Sequence, residues 1–160
     1  MRIEININFQ HLDIINNNQD KIKSYQISSA TNGVGQEQGS FCTPLGKHII
    51  RAKIGAGLPI NTIFIGRRPT GEIFSPELEK NYRGRDWILT RILWLSGCEV
   101  GFNRLGTVDT MRRYIYIHGS PDSIDIGRPG SSGCIRMLNT DLLELFELID
   151  IGTEVNIKQK

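Results

Sequence analysis

The chain has 160 residues, 39% of them hydrophobic and 22% charged, a balance that predicts one globular domain spanning residues 1–160. Its formal net charge of +2, with arginines scattered along the chain, excludes the profile of a nucleic-acid-binding protein. No apolar run approaches the roughly 20 residues of a membrane-spanning helix, and polar residues interrupt Met1–Phe9 where an export signal needs an unbroken apolar stretch.

The first part of the chain is predicted to be β-structure. Apolar and polar residues alternate from Ile3 to Phe9, as in a strand with one buried face. Leu12–Ile15 and Ile22–Ile27 flank an Asn-rich turn, which predicts a hairpin. The Gly-rich stretch Thr31–Ser40 then predicts a loop.

Further strands are predicted along the rest of the chain. β-branched and aromatic residues favour strands because they pack well on a pleated surface. They concentrate in His48–Ile54, Thr62–Gly66, Ile88–Leu95 and Arg113–Ile117, and a closing strand is expected at Thr153–Ile157.

One helix is predicted near the C-terminus. Asn139 is placed to cap it, Asp141 lies in its first turn and Gly152 follows its end. Apolar and acidic residues separate onto opposite faces, with Leu142, Leu145, Phe146 and Ile149 on one face and Asp141, Glu144 and Glu147 on the other. The expected fold class is therefore mainly β with a short helix.

Two segments contain the residue types of nucleophilic catalysis. Ile115–Ser120 is a strand that ends in His118, which is followed by a glycine and a Ser-Pro turn. Gly130–Met137 is a loop of small residues that holds Cys134 and leads into the helix. The intervening loop is long enough to fold back and bring the thiol and the imidazole together.

The pattern suits a cysteine nucleophile with a histidine base. An imidazole such as that of His118 lowers the pKa of a nearby thiol and can return a proton to the leaving group. Gly133 allows the N–H groups of Ser132, Gly133 and Cys134 to turn toward a developing oxyanion. Arg136 is placed to hold a substrate carboxylate.

Simpler interpretations compete with this one. Most cysteines are small buried hydrophobic residues, which suits Cys42 and Cys98, and a histidine at a strand end is often structural. No paired Cys or His at metal-ligand spacing accompanies His118 and Cys134, so no metal site is expected. Gly127–Gly133 lacks the lysine of a phosphate-binding loop. The residues alone leave these alternatives open.

The cysteine segment resembles the active-site signature of the L,D-transpeptidase (YkuD-type) family. That signature is His-Gly, a spacer, then Ser/Thr-His-Gly-Cys, an apolar residue and Arg or Asn. Here it reads His118-Gly119, then Ser131–Arg136. Thr43–Lys47 is similar to the Thr-Pro-x-Gly segment of the family, and Gly152–Val155 to its closing Gly-Thr-x-Val strand.

The resemblance implies curved mixed β-sheets in a sandwich-like arrangement, no cofactor, and peptidoglycan stem peptides as substrates. Cys134 would attack the carbonyl of the third stem residue and release the terminal D-alanine. His118 would be the base, the carbonyl of Gly119 would orient its imidazole, and N–H groups around Gly133 would form the oxyanion hole. Ser132 departs from the family pattern, which has His there, and this changes substrate positioning rather than the base.

Two other functions remain open at this stage. In an L,D-carboxypeptidase, water takes the acyl group and the same residues act. In a silent cell-wall-binding module, the fold binds peptidoglycan without turnover. The substrate class predicts a location in the bacterial cell envelope or periplasm, although no signal peptide is visible in the chain.

Overall fold

The computed structural model describes residues 1–160 and consists of a ten-stranded sheet with two α-helices and one 3₁₀ turn. The strands are β1 (Arg2–Asn6), β2 (His11–Ile15), β3 (Lys21–Ser28), β4 (Gly46–Ile54), β5 (Thr62–Ile65), β6 (Arg68–Ile73), β7 (Ile88–Gly97), β8 (Tyr116–Gly119), β9 (Ile135–Met137) and β10 (Glu154–Lys158). The helices are α1 (Pro76–Asn81) and α2 (Asn139–Leu148), and the 3₁₀ turn is Gly106–Val108.

The sheet closes on itself. Its strand order is β4-β10-β1-β2-β3-β9-β8-β7-β5-β6, and β4 also pairs with β7. Eight strands therefore form a ring, from which the β5–β6 hairpin extends. Closure removes the exposed edges that an open sheet would leave. The β1–β10 and β8–β9 pairs are parallel and the other pairs are antiparallel, so the predicted mainly β, curved and mixed fold is confirmed.

The main hydrophobic core lies inside this curved sheet and under α2. It contains 19 buried residues. The apolar face predicted for the helix is confirmed, because Leu142, Leu145, Phe146 and Ile149 are all buried, and α2 packs on β7 and β8. Burying each such side chain stabilises the fold by roughly 1.5–3 kcal/mol before the entropic cost of ordering it.

Most of the predicted strands are confirmed with small changes of boundary. The Asn-rich turn joins β2 to β3, Thr31–Ser40 is a loop, and the predicted strands at His48, Thr62, Ile88 and Thr153 correspond to β4, β5, β7 and β10. The strand predicted at Arg113–Ile117 begins later, at Tyr116. The reason is that Tyr114 has a φ of +57°, which belongs to a turn.

The predicted helix cap was wrong. Leu138 occupies the N-cap position and makes no side-chain capping bond, and Asn139 is the first helical residue. The side chain of Asn139 points instead into the molecule, where it donates to the backbone carbonyl of Ser120 at 2.8 Å. The Asn139 side chain therefore does not cap the helix and instead belongs to a buried hydrogen-bond network beside the candidate site.

One helix, two strands and the 3₁₀ turn were not predicted from the sequence. Helix α1 begins with Ser75, whose Oγ accepts from the N–H of Leu78 at 3.2 Å, and with Pro76 in its first turn. Strand β6 is exposed along its whole length and so lacks an alternating pattern. Strand β9 has only three residues and lies within the candidate motif. Neither α1 nor α2 is long and apolar enough to cross a membrane.

Candidate active site

Two adjacent parallel strands bring the cysteine and histidine segments together. Ile117 of β8 pairs with Ile135 of β9, and His118 pairs with Arg136. Cys134 directly precedes β9, so it lies two register positions from His118 on the neighbouring strand. The sequence-distant thiol and imidazole therefore belong to one corner of the sheet.

The thiol of Cys134 is half-buried against a small hydrophobic cluster that includes Phe64, Ile92 and Tyr116. Its Sγ accepts the backbone N–H of Tyr116 at 3.3 Å and lies 3.4 Å from the carbonyl oxygen of Tyr114, to which the S–H donates. Burial raises the pKa of Cys134 to about 12, an effect that the Tyr116 N–H and the charge of Arg136 oppose. The expectation of a lowered thiol pKa was therefore wrong for the resting protein.

The imidazole of His118 is completely buried. Its Nδ1 lies 2.6 Å from the carbonyl oxygen of Gly119. Because that oxygen can only accept, Nδ1 carries the proton and Nε2 keeps its lone pair. Nε2 is buried and has no hydrogen-bond partner in the chain. Burial lowers the pKa of His118, and the Gly119 carbonyl opposes this. The resting imidazole is therefore neutral, with a free basic nitrogen.

Two hydroxyl groups hold the loop before Cys134, one from Ser131 in the loop itself and one from Thr43. Ser131 Oγ donates to the carbonyl of Cys134 at 2.6 Å and accepts the N–H of Gly133 at 3.2 Å. Thr43 Oγ1 donates to the carbonyl of Gly133 at 2.9 Å. Gly133 has a φ of +133°, a conformation that favours glycine.

This arrangement corrects the expected set of oxyanion donors. The N–H of Gly133 is directed at Ser131 Oγ and is not free to meet a substrate oxygen. The N–H groups of Ser132 and Cys134 have no acceptor in the chain. Two of the three expected donors therefore remain available, one on each side of Gly133. The side chain of Ser132 is exposed at the mouth of the site.

Arg136 is bound to the protein itself. Its Nη1 donates to the carbonyl of Gly130 at 2.9 Å, and its Nη2 lies 2.8 Å from Oδ1 of Asp86. The side chain is only 13% exposed. The guanidinium therefore braces the loop against the segment before β7, and contact with a substrate carboxylate stays a prediction.

A buried polar network beside His118 was missed by sequence analysis. Thr90 Oγ1 donates to Oδ1 of Asn139 at 2.7 Å and accepts the N–H of Asn61 at 3.1 Å. A side chain at position 119 would collide with Asn139 Oδ1, so Gly119 has to be glycine. The register between β7 and β8 shifts at this point, and Thr90 has a φ of +76°. Bulges of this kind often re-aim side chains beside active sites, but no sequence signal marked this one.

The largest surface cavity is not at this site. It has a volume of about 270 Å³ and is lined by charged side chains of β1, β2 and the C-terminus. A second cavity, of about 200 Å³, includes Ser132 and Tyr114 in its wall and therefore lies next to the loop that precedes Cys134. No three His, Cys, Asp or Glu side chains lie close enough together to hold a metal ion.

Curated proteins of similar sequence are named as putative L,D-transpeptidases. The YkuD protein of Bacillus subtilis (strain 168) is 40% identical over 91 residues, which cover 57% of this chain and 45% of that protein. The YqjB protein of the same strain is 40% identical over 58 residues, or 36% of this chain and 31% of that protein. The chain therefore matches less than half the length of either relative.

Solved structures share the fold at low sequence identity. The L,D-transpeptidase from Mycobacterium smegmatis has a TM-score of 0.56 at 15% identity, with 98% of this chain and 57% of that chain covered. L,D-transpeptidase 3 from Mycobacterium tuberculosis, in complex with a faropenem-derived adduct, has a TM-score of 0.56 at 12% identity, with 98% and 59% covered. A family model described as the L,D-transpeptidase catalytic domain matches residues 1–157. The chain therefore belongs to the YkuD family of L,D-transpeptidase catalytic domains.

Proposed function

We propose that residues 1–160 act as one catalytic domain that cross-links peptidoglycan stem peptides through a thioester on Cys134. The thiol attacks the carbonyl of the third stem residue, the terminal D-alanine leaves, and an amine of a neighbouring stem takes the acyl group. The observation that supports the proposal is the pairing of β8 with β9, in which Cys134 lies two register positions from His118, a buried imidazole with a free nitrogen. Membership of the family supplies the substrate class.

The first step begins from two neutral groups. In the resting protein the S–H of Cys134 is directed at the Tyr114 carbonyl, so it has to rotate toward Nε2 of His118 when the substrate binds. Such a change is common, because catalytic hydrogen bonds often form fully only in the complex with substrate. Nε2 then takes the proton while the S–C bond forms. The Gly119 carbonyl at Nδ1 stabilises the resulting imidazolium and holds its orientation.

Negative charge then develops on the substrate oxygen. The N–H groups of Ser132 and Cys134, which lack acceptors in the chain, are the candidate donors for this oxyanion. Since the resting pair is neutral, these donors and the nearby arginines stabilise charge that appears only in the transition state. Collapse of the intermediate breaks the C–N bond, and His118 returns the proton to the leaving amine.

The second step follows the same order of events, with the acceptor amine as the nucleophile. His118 takes a proton from the acceptor amine as that amine attacks the thioester carbonyl. The C–S bond then breaks, and the sulfur of Cys134 regains the proton from His118. If water is the acceptor, the same residues give an L,D-carboxypeptidase. The acyl transfer balances without a metal, a redox partner or an organic cofactor. Because the proposed substrate is peptidoglycan, the proposed location is the bacterial cell envelope or periplasm.

Ser132, Gly133 and Arg136 complete the proposed site. Gly133 lets the loop pass close to the substrate carbonyl, and the small exposed side chain of Ser132 leaves more room at the mouth than histidine would. Arg136 holds the loop in place through Gly130 and Asp86, and lies close enough to lower the pKa of Cys134. Its substitution is expected to weaken the positioning of the nucleophile.

The test is a product analysis with purified tetrapeptide stems and mass spectrometry. Cross-linked dimers with release of D-alanine are expected, and Cys134→Ala is expected to abolish them while Cys42→Ala and Cys98→Ala leave them intact. Tripeptide without dimer would replace the transpeptidase by a carboxypeptidase. Untouched stems would contradict both, and would favour a wall-binding module.

A further inference from the structure

A cavity of about 200 Å³ opens between the loop that precedes Cys134 and the Thr31–Ser40 loop. Ser132 and Tyr114 connect it to the thiol, since one precedes Cys134 in the loop and the other accepts the S–H. Two arginines and no acidic side chain line it, and the remaining lining residues are neutral. A substrate bound at Cys134 would therefore find a pocket of positive charge close to the scissile bond.

Arg113 is the half-buried arginine of this cavity, and its position is fixed. Its Nη2 donates to the carbonyl of Cys42 at 2.7 Å and to Ser40 Oγ at 3.3 Å, and its Nη1 donates to the carbonyl of Gly35 at 3.2 Å. These acceptors leave the Nε–H and the second N–H of Nη1 without an acceptor in the chain. Three neutral groups thus hold the guanidinium, and two of its N–H groups can donate to a ligand.

The charge of Arg113 has no counter-ion. No carboxylate lies within ion-pair distance, and the acidic side chain that acts on it is the exposed Glu37. Burial lowers the pKa of Arg113, whereas the thiols of Cys42 and Cys134 oppose that effect. The Cys42 carbonyl that accepts from Arg113 would lie 3.2 Å from a Cβ at Gly133, so the guanidinium lies near the residue that directly precedes Cys134. A half-buried cation without a partner, placed beside a nucleophile, is a ready site for an anionic group of the substrate.

We infer that Arg113 and this cavity form a subsite for the C-terminal carboxylate of the donor stem. The inference rests on the proposed function, and it names the group by which the enzyme selects its donor. The leaving residue is the part of the donor that carries a carboxylate next to the scissile bond. Binding it at Arg113 restricts attack to the last peptide bond of a stem, because internal bonds present no such carboxylate there.

Three other arginines near the site are poorer candidates. Arg67 has no ion pair either, but it does not line the cavity, and its guanidinium stacks on two aromatic rings and donates to the Tyr116 hydroxyl at 3.1 Å. Arg136 already pairs with Asp86, so its charge is neutralised within the protein. Arg112 lines the same cavity but is exposed, so water weakens any contact that it makes with a carboxylate. Arg113 combines burial, a fixed position and the absence of a counter-ion.

The test compares three donor stems: one with a free C-terminal carboxylate, one with a C-terminal carboxamide, and one amidated at a carboxylate elsewhere in the stem. Amidation of the last residue makes the leaving amine less basic, so it does not by itself slow the chemistry. The kcat/KM of each donor is measured for the wild type, Arg113→Gln and Arg51→Gln. Arg51 is the matched control, because it is exposed on β4 and makes no side-chain hydrogen bond or ion pair.

The wild type and Arg51→Gln are expected to lose roughly ten- to a hundredfold in kcat/KM on C-terminal amidation, the range for a charge-assisted hydrogen bond. Arg113→Gln is expected to lose a similar factor with the free carboxylate and to treat the two C-terminal forms alike. Amidation elsewhere is expected to leave the wild-type value unchanged. A purely structural role for Arg113 would lower the values for all donors by the same factor.

Three outcomes overturn the inference. The first is a wild type that does not distinguish the C-terminal forms, and the second is an Arg113→Gln variant that still does. The third is a wild type that responds only to amidation elsewhere in the stem, which would assign the cavity to another carboxylate. If Arg113→Gln does not fold, Arg113→Lys keeps the charge in a different geometry, and its discrimination is expected to fall below that of the wild type. A wild type inactive on every donor would instead contradict the proposed function itself.

Discussion

The protonation state of Cys134 and His118 decides how the reaction begins. Burial raises the pKa of the thiol to about 12 and lowers that of the imidazole, so both groups are neutral at pH 7. In this state the sulfur is a weak nucleophile until His118 removes its proton. The proposed mechanism therefore depends on general-base catalysis by His118, because the thiol is protonated before the substrate binds.

This state predicts a specific pH profile for alkylation of Cys134. With iodoacetamide and the Cys42→Ala/Cys98→Ala background, the rate is expected to be low at pH 7 and to rise steadily into the alkaline range without a plateau near neutrality. His118→Ala is expected to leave that profile in place, because the imidazole carries no charge to stabilise a thiolate. The same variant is expected to slow acylation by stem peptides by roughly a hundredfold or more.

The matching control is the rate of alkylation of an unfolded sample, which reports the unshifted thiol. A plateau in the native profile at neutral pH, lost in His118→Ala, would show a preformed thiolate–imidazolium pair and would replace general-base activation as the first step.

At the scale of elements, an irregularity in β7 lies opposite His118, the proposed base. The register between β7 and β8 shifts between Leu89 and Ile92, directly opposite Gly119 and His118. Thr90 occupies the bulge with a φ of +76°. For a β-branched residue this backbone conformation costs roughly 1–3 kcal/mol. The hydroxyl bonds of Thr90 offset that cost and connect the bulge to the start of α2 through Asn139.

The hydroxyl of Thr90 can be tested with a pair of substitutions. Thr90→Val keeps the branched shape but removes the bonds to Asn61 and Asn139, which leaves buried polar groups unpaired. The free energy of unfolding is expected to fall by about 1–3 kcal/mol, measured by urea denaturation. Thr90→Ser keeps the hydroxyl and is expected to retain most of the stability. Equal losses in both variants would mean that shape, not hydrogen bonding, holds the bulge.

Elements with strong local patterns were predictable from the sequence, and those that depend on distant partners were not. The β2–β3 hairpin and the apolar face of α2 follow from periodicity and turn residues. Strand β9 was hidden because three residues carry no period, and its partner β8 is distant in sequence. Asn139 has the local signature of a cap, yet its amide meets Ser120 and Thr90 only once the sheet has closed.

The same distinction applies to the candidate site. Cys134 and His118 stand out in the sequence because small residues and a turn surround them. The burial that keeps both neutral, and the Ser131 hydroxyl that takes the N–H of Gly133, are consequences of packing. Arg113 carried no signal, since its value as an unpaired cation depends on the Cys42 loop folding over it.

At the scale of the whole molecule, β4 closes the sheet by pairing with β10 and β7, and it contains a buried histidine. His48 lies on β4 between Val155 of β10 and Gly97 of β7 and is completely buried. Its Nδ1 lies 3.0 Å from the carbonyl oxygen of Gly46, and its Nε2 lies 2.9 Å from Thr110 Oγ1. Burial lowers the pKa of His48 to about 4, which the Gly46 carbonyl and Glu99 oppose.

The stability of the fold is therefore expected to depend on pH between 6.5 and 4. In that window the unfolded chain binds a proton at His48 and the folded chain does not, so the free energy of unfolding falls as the pH falls. The loss amounts to about 3 kcal/mol for this group, with a similar direction for His118. Urea midpoints measured across the window are the check. His48→Gln is expected to have a shallower slope, and an unchanged slope would contradict this assignment.

The central claim is that Cys134 and its surroundings form an assembled acylation site, and a carbapenem tests this without knowledge of the acceptor. In the proposed mechanism, the thiol would open the strained lactam carbonyl with His118 as base and the Ser132 and Cys134 N–H groups as oxyanion donors. Intact-protein mass spectrometry after incubation is expected to show one carbapenem mass per chain. The adduct should map to the peptide that contains Cys134 and be absent from Cys134→Ala, while Cys42→Ala and Cys98→Ala still form it. An unmodified wild type after prolonged incubation, or an adduct that survives in Cys134→Ala, would contradict the account.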